Sequence, residues 1–299
     1  MAAPVIVARG LEKRFGDVQA VAGLDLTVPS GICLGLLGPN GAGKTTTMRM
    51  IMGLTVPSGG TLEVLGRPPA ALSRAERRRI GLVPQDNNLD PDLSVVQNLL
   101  VYGGYFGLPA TAVRRRVPEL LAFMQLTEKA AARVSQLSGG MKRRLVIARA
   151  LVAEPELVIL DEPTTGLDPQ ARLLIWRQLL QLRAQGRTLL LTTHYMDEAQ
   201  RLCDRIVLID GGRILAEGSP AELIARHVHG HVVEVSKPLP AGLTGNGLAH
   251  EDVGDAMLFY VATPGAVIDR LPPEAVYLHR PANLEDVFLR LTGRKLREG

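Results

Sequence analysis

The sequence predicts an α/β fold: a parallel sheet with helices on both faces, an antiparallel β layer before it, a helical insertion, and a small α+β domain at the end. Three observations predict it. Apolar runs at residues 32–37, 157–160 and 188–194 show no alternation, as strands buried on both faces do. Helix-like stretches at 44–52, 92–154 and 171–185 separate them. Beyond residue 229 the pattern shifts to short alternating strands and one final helix.

In chain order, residues 5–15 and 18–28 read as two antiparallel strands around a turn at Gly16 and Asp17. The apolar run 32–37 leads into a glycine loop and then a helix. Further strands fall near 61–65 and 80–84, and from about 92 to 154 the chain reads as helix with no convincing strand. The run "LVIL" at 157–160, an amphipathic helix and "TLLLTTH" at 188–194 complete the alternation, and "RIVLIDGGRILAEG" closes as a hairpin at Asp210, Gly211 and Gly212. After His229, "HVVEVS", "MLFYVA" and "AVYLHR" alternate, the first two parted by a Gly/Pro-rich stretch at 238–247. "NLEDVFLRLTGRK" is a helix: Asn283 caps it, Glu285 and Asp286 complement its positive end, and Leu284, Val287, Phe288 and Leu291 form its apolar stripe. The expected domains are 1–228, with a helical subdomain at about 88–154, and 229–299. No internal repeat or coiled-coil heptad is present.

The chain has 299 residues, enough for one large and one small domain. It is 46% hydrophobic with a net charge of +4, a mild basic excess. Basic clusters at 74–79 and 114–116 read as solvated helix faces. Aromatic residues make up 4% and do not interleave with the basic clusters, which argues against nucleic-acid binding by stacking. The two cysteines, Cys33 and Cys203, lack C-x-x-C spacing and fit a reducing compartment. The N-terminus lacks a secretory signature. Residues 93–113 carry no charge, but Gln97, Asn98, three glycines and Pro109 make them a poor membrane span.

"GPNGAGKTT" at 38–46 follows an apolar strand and opens a helix, and it fits G-x-x-x-x-G-K-[ST] through Gly38, Gly43, Lys44 and Thr45. Its glycines let backbone N–H groups curl around a phosphate, and the helix N-terminus attracts the same anion. Lys44 supplies mobile positive charge and Thr45 a hydroxyl for Mg²⁺. "LVILDEP" ends a strand in two carboxylates: Asp161 as a Mg²⁺ partner of Thr45, and Glu162 as a general base or water-orienting group. A second cradle stands at Ser138, Gly139 and Gly140, where a hydroxyl and flexible amides begin a helix, with Lys142, Arg143 and Arg144 adding positive charge. Taken alone, that tripeptide equally fits a plain helix cap.

The ordered series "GPNGAGKTT", "VPQ", "LSGGM", "LVILDEP", "TTGLD" and "TTH" resembles the ATP-binding subunit of ABC transporters over about residues 4–225. The resemblance implies a P-loop NTPase core with ATP and Mg²⁺ as cofactors, and a head-to-tail homodimer in the ATP-bound state, each ATP lying between the phosphate loop of one copy and Ser138 of the other. It implies that Phe15 stacks on adenine and that Pro39, Asn40, Gly41, Ala42, Gly43, Lys44 and Thr46 surround the phosphates. Gln85 would sense Mg²⁺ and the attacking water, Ser138 and Gly140 would clamp the partner's γ-phosphate, Asp168 would reach across the interface, and His194 would align the γ-phosphate with Glu162. Met141 stands where the family usually has glutamine, which puts some cross-interface hydrogen bonding in doubt.

The resemblance further implies integral membrane permease subunits as partners, no nucleic acid, and a peripheral position on the cytoplasmic face of the inner membrane. Tyr102, Tyr105 and Phe106 are expected either to dock the membrane partner or to face the chain's own helical core. Three function classes stand: exporter ATPase, importer ATPase, and a soluble ATPase acting on ribosomes or DNA. Tandem cassettes and coiled-coil insertions, usual in the third, are missing. The tail "RPANLEDVFLRLTGR" resembles type-2 exporter ATPases, including the drug-resistance and nodulation-factor groups, and favours the exporter.

Overall fold

The computed structural model describes residues 3–240, 242–244 and 247–293. Residues 241, 245 and 246 of the Gly/Pro-rich stretch, and Arg294 and Lys295 of the final helical segment, lie outside the described residues. Strands β1 (Ile6–Phe15) and β2 (Val18–Val28) form the expected hairpin. Then come β3 (Cys33–Leu37), α1 (Lys44–Ile51), β4 (Gly59–Val64), α2 (Arg74–Arg77) and β5 (Ile80–Val83). The helical stretch holds α3 (Val95–Tyr105), α4 (Ala110–Phe123) and α5 (Gly139–Leu151). After it lie β6 (Leu157–Asp161), α6 (Pro169–Ala184), β7 (Thr188–Thr193), α7 (Met196–Leu202), β8 (Arg205–Asp210), β9 (Arg213–Gly218) and α8 (Pro220–Val228). The last part comprises β10 (His231–Ser236), β11 (Ala249–Asp252), β12 (Ala256–Val261), α9 (Gly265–Ile268), β13 (Tyr277–Pro281) and α10 (Leu284–Thr292).

The main sheet has the order β5-β6-β7-β3-β8-β9, parallel except for β9. Its central strands are buried along their whole length and rich in leucine because each face meets a different core. Leu34, Leu36, Leu157, Ile159 and Leu190 pack on α1 and on the antiparallel sheet β2-β1-β4. Leu37, Val158, Leu160, Leu189 and Leu191 pack on the helices of the opposite face. Each such side chain, fully buried, contributes roughly 1.5–3 kcal/mol. The uncharged run 93–113 is split between two helices: Ser94 and Gln97 form a capping box that starts α3, and the chain turns before α4 begins at Ala110. Among the described residues no helix is long and apolar enough to cross a membrane.

The last sheet, β11-β12-β10-β13, is antiparallel. One of its faces encloses a small core of Val233, Val235, Met257 and Phe259. The other face places Val232, Leu258 and Tyr260 with Val287 and Phe288 of α10 in the same core as the main sheet. Helix α10 lies against α7 and α8. Asn283 caps α10 by accepting from the Glu285 and Asp286 amides, and Arg280 clamps the buried Asp286 carboxylate through two bonds of 2.7 Å.

Candidate functional site

Parallel topology gathers the motifs. The adjacent strands β5, β6, β7 and β3 all end at one edge of the sheet, where ligands of open α/β sheets bind. Gln85, Asp161 with Glu162, His194 and the loop at 38–46 therefore meet, although the sequence scatters them. Register sets the detail: Asp161 lies opposite Thr192, and Leu37 opposite Thr193.

A cleft of about 460 Å³ at this edge is lined by Phe15, Ala20, Asn40, Gly41, Gly43, Lys44, Thr45, Thr46, Gln85 and Glu162. The Phe15 ring is half exposed, with Lys13 Nζ 5.0 Å above its centroid. Lys44 is buried, and its Nζ donates to the carbonyls of Gly38 (2.7 Å) and Pro39 (3.0 Å). Burial holds the Lys44 ammonium below its ordinary range, while Glu162 and Asp161 act against that shift. Gly43 has φ +101, and a Cβ there would stand 2.4 Å from the Ala20 carbonyl oxygen. At Gly38 a Cβ would stand 2.1 Å from the Ile209 carbonyl oxygen. Gly38, Pro39 and Ala42 form the back of the loop rather than its lining, and Ala42 accepts from the Gly212 amide.

The two carboxylates differ in surroundings. Asp161 is buried and accepts from the Thr192 hydroxyl; burial raises its pKa, and the Thr192 bond opposes this. Glu162 leaves β6 at φ 44, a left-handed conformation that costs a non-glycine residue about 1–3 kcal/mol. Its amide donates to Thr192, and its carboxylate accepts from Thr165 Oγ1 (3.2 Å) and Gln85 Nε2 (3.3 Å). His194 Nδ1 stands 3.3 Å from Glu162 Oε1. His194 and then Lys44 hold the Glu162 carboxyl below its ordinary value against the effect of burial, so it is ionised at neutral pH.

The residues around the cleft fit a nucleoside triphosphate: a glycine-shaped loop that tolerates no Cβ at Gly38 or Gly43, a buried cation, and an exposed aromatic ring at one end. They also fit Mg²⁺ as an ion held through few protein oxygens, with Thr45, Gln85 and Asp161 at hand. No group of three or more His, Cys, Asp or Glu able to hold a metal exists among the described residues, and Mg²⁺ commonly takes one or two carboxylates plus substrate phosphate.

Ser138, Gly140 and Asp168 lie elsewhere. They line a second cleft of about 460 Å³ with Arg144, Ala171 and Arg177, and the two clefts share no lining residue. Ser138 caps α5 by accepting from the Met141 amide at 3.3 Å, and Asp168 caps α6 by accepting from the Ala171 amide at 2.9 Å. A Cβ on Gly140 would stand 2.9 Å from Ala171 Cβ, so glycine lets the two helix starts approach. Gly139 stands outside the lining.

One expectation needs correcting. Arg143 does not enrich the second cleft in charge; it points into the core and donates to main-chain carbonyls of residues beside the first cleft. Arg144, by contrast, does line the second cleft. The aromatic trio also divides: Tyr105 is exposed, whereas Tyr102 is mostly covered, with Arg149 4.7 Å above its ring. Sequence reasoning quoted Thr192 within "TTH" but gave it no role, although its place two residues before His194 at the end of a strand was the available signal. It also passed over Glu198, fully buried, which accepts from Thr164 Oγ1 (2.7 Å) and Trp176 Nε1 (3.0 Å).

Comparisons with known proteins show the family and the fold. The ABC transporter family matches residues 21–165, and the family described as nodulation factor export protein NodI, C-terminal domain, matches residues 244–293. The Nod factor export ATP-binding protein I of Burkholderia lata is 53% identical over 296 residues, covering 97% of each chain. Its counterpart from Cupriavidus metallidurans is 51% identical over 300 residues, covering 98% of this chain and 99% of the relative. Among solved structures, an ATP-binding subunit of an ABC transporter superposes with a TM-score of 0.68 at 30% identity, over 74% of this chain and 92% of its own. The ATP-binding cassette MJ0796, in a dimeric post-hydrolysis state bound to ADP and Pi, superposes with a TM-score of 0.65 at 28% identity, over 72% of this chain and 98% of its own.

Proposed function

The chain belongs to the ATP-binding subunits of ABC transporters and is an ATPase that drives export, and from that premise we propose that it works as a homodimer sandwiching two ATP molecules. One observation carries the reading: both phosphate cradles of a single chain open into clefts with no residue in common. Each cradle of one copy faces its own cleft, whereas two copies in head-to-tail contact can bring one cradle from each to every triphosphate. The ATP-binding cassette MJ0796, dimeric with ADP and Pi bound, supports a dimeric working state.

The residues then divide the work. Lys44 exchanges its bonds to the Gly38 and Pro39 carbonyls for phosphate oxygens, and the amides of the loop and Thr46 surround the same group. Phe15 offers its exposed face to adenine. Thr45, Asp161 and Gln85 would hold Mg²⁺, which when bound neutralises charge on the β- and γ-phosphate oxygens. Glu162, already ionised, orients the attacking water and accepts its proton, while His194 and Gln85 fix its carboxylate from two sides. Ser138, Gly139, Gly140 and Asp168 of each copy complete the other's site. Closing both sites converts ATP affinity into dimer closure, and hydrolysis releases it.

Membrane subunits are proposed partners, with the chain peripheral on the cytoplasmic face of the membrane and Tyr105 on the exposed helical face as a docking candidate. Residues 1–228 are proposed as the nucleotide-binding domain and 229–299 as an accessory domain. The proposed cargo is Nod factor, which rests on 53% identity along nearly the whole chain to a relative of that name. The test is Glu162→Gln. Turnover is expected to fall on the order of 100- to 10,000-fold with ATP binding retained, and ATP should shift the variant to a dimer on gel filtration. A monomer at saturating ATP would remove the sandwich.

A further inference from the structure

Arg143 leaves α5 five residues after Ser138 and is 4% exposed. All three of its guanidinium nitrogens donate. Nε reaches the Pro163 carbonyl at 2.7 Å, Nη1 the carbonyls of Pro84 and Gln85, and Nη2 those of Asp161 (3.0 Å) and Glu162 (3.1 Å). These carbonyls belong to the two segments that carry Gln85 and Glu162 into the first cleft. The helix that carries Arg143 begins in the second cleft. A guanidinium is a rigid planar fork, so a shift of α5 moves both segments together rather than stretching one bond. It also braces a strained backbone: Glu162 sits at φ 44, and Arg143 at its carbonyl and Thr192 at its amide hold it from either side. Burial lowers the guanidinium pKa to about 10, so the group stays charged at neutral pH.

We propose that Arg143 is a positioning residue for ATP hydrolysis, fixing the backbone of Gln85 and Glu162 and making their placement depend on the helix that begins at Ser138. Phosphate binding in the second cleft then adjusts the hydrolytic groups of the first cleft within the same chain. The inference rests on the reading of Glu162 as the group that activates water.

The test measures ATP affinity, kcat and KM for full-length Arg143→Lys and Arg143→Gln, each alone and combined with Glu162→Gln. Lysine keeps the charge and loses the fork, so Arg143→Lys carries the test should Arg143→Gln not fold. A misplacement of about an ångström predicts a fall in kcat on the order of 100-fold, with ATP affinity and KM within about threefold of the parent. Because Arg143 acts chiefly through Glu162, adding either Arg143 variant to Glu162→Gln should lower the residual turnover far less than it lowers the parent's. A purely structural role would instead weaken ATP binding in parallel, or give losses that multiply in the double variants; either result overturns the proposal, as does parental kcat in Arg143→Lys. Parental turnover in Glu162→Gln alone would sink the underlying reading. An inactive Glu162→Gln beside a fully active Arg143→Lys would remove only the role given to Arg143.

Discussion

In the loop at 38–46 the cation is buried and bonded to loop carbonyls, glycine fixes the backbone, and the nearby carboxylates are held from several sides. Around Ser138 the hydroxyl is exposed and engaged in capping α5, and the cleft's arginines come from α5 and α6. The first cradle has the parts to hold a nucleotide within one chain. The second offers two helix starts, one serine hydroxyl and two arginines, an arrangement that in the proposed dimer suits a phosphate brought by the other copy. In the proposed dimer, this difference would give binding to one region and assembly to the other.

Lys44→Ala should have the largest effect on this contrast. It removes charge-assisted bonds to phosphate of about 3 kcal/mol, so ATP affinity measured by titration should fall on the order of 100-fold or more. Affinity near the parental value would deny the first cradle its role.

Ser138→Ala should spare that affinity. Loss of a serine cap destabilises a helix by about 1 kcal/mol, visible as a small drop in unfolding midpoint, while ATP-driven dimerisation and steady-state turnover should fall far more than binding to the monomer. Equal losses in monomer binding and turnover would erase the distinction between the clefts.

Glu198 gives the smallest effect and a pH signature. Burial raises its carboxyl above the ordinary 4.5, with Thr193, Thr164 and Trp176 opposing. A folded value above the unfolded one means that the ionised group costs stability at neutral pH, and that this cost is relieved as pH falls through the raised value. Glu198→Gln cannot take up that proton. Its stability relative to the parent, read as the difference in denaturation midpoints, should therefore decline as pH drops from about 8 into the window just above the ordinary carboxylate range. A difference that is flat with pH would contradict burial as the cause.

Much of the first cleft was legible because its motifs are local. The glycine loop follows its strand directly, and the apolar run 157–160 ends in its carboxylates. Topology supplied what local pattern could not: β7 lies between β3 and β6 and so brings Thr192 beside Asp161 and His194 beside Glu162. Other features were hidden for identifiable reasons. Arg143 lies in the second turn of a helix that is buried all round from Leu145, so no polar face fixed its phase. Strand β11, "AHED", pairs among the described residues only with β12, at a sheet edge, and carries three polar residues, so it shows no hydrophobic alternation. Cys33 and Cys203, 170 positions apart, come within 3.8 Å between sulfurs because β3 is packed by the end of α7. Helices α7 and α8 were hidden beside the hairpin of β8 and β9, being only 7 and 9 residues long.

The central claim is that each hydrolytic site is assembled from two copies. It is tested most directly by mixing purified Lys44→Ala with Ser138→Arg, each inactive alone, and measuring phosphate release. Mixed dimers combine both defects in one site and leave the other intact, so the account predicts activity returning to about a quarter of the parental level in an equimolar mixture. Activity no higher than that of either variant alone would contradict it.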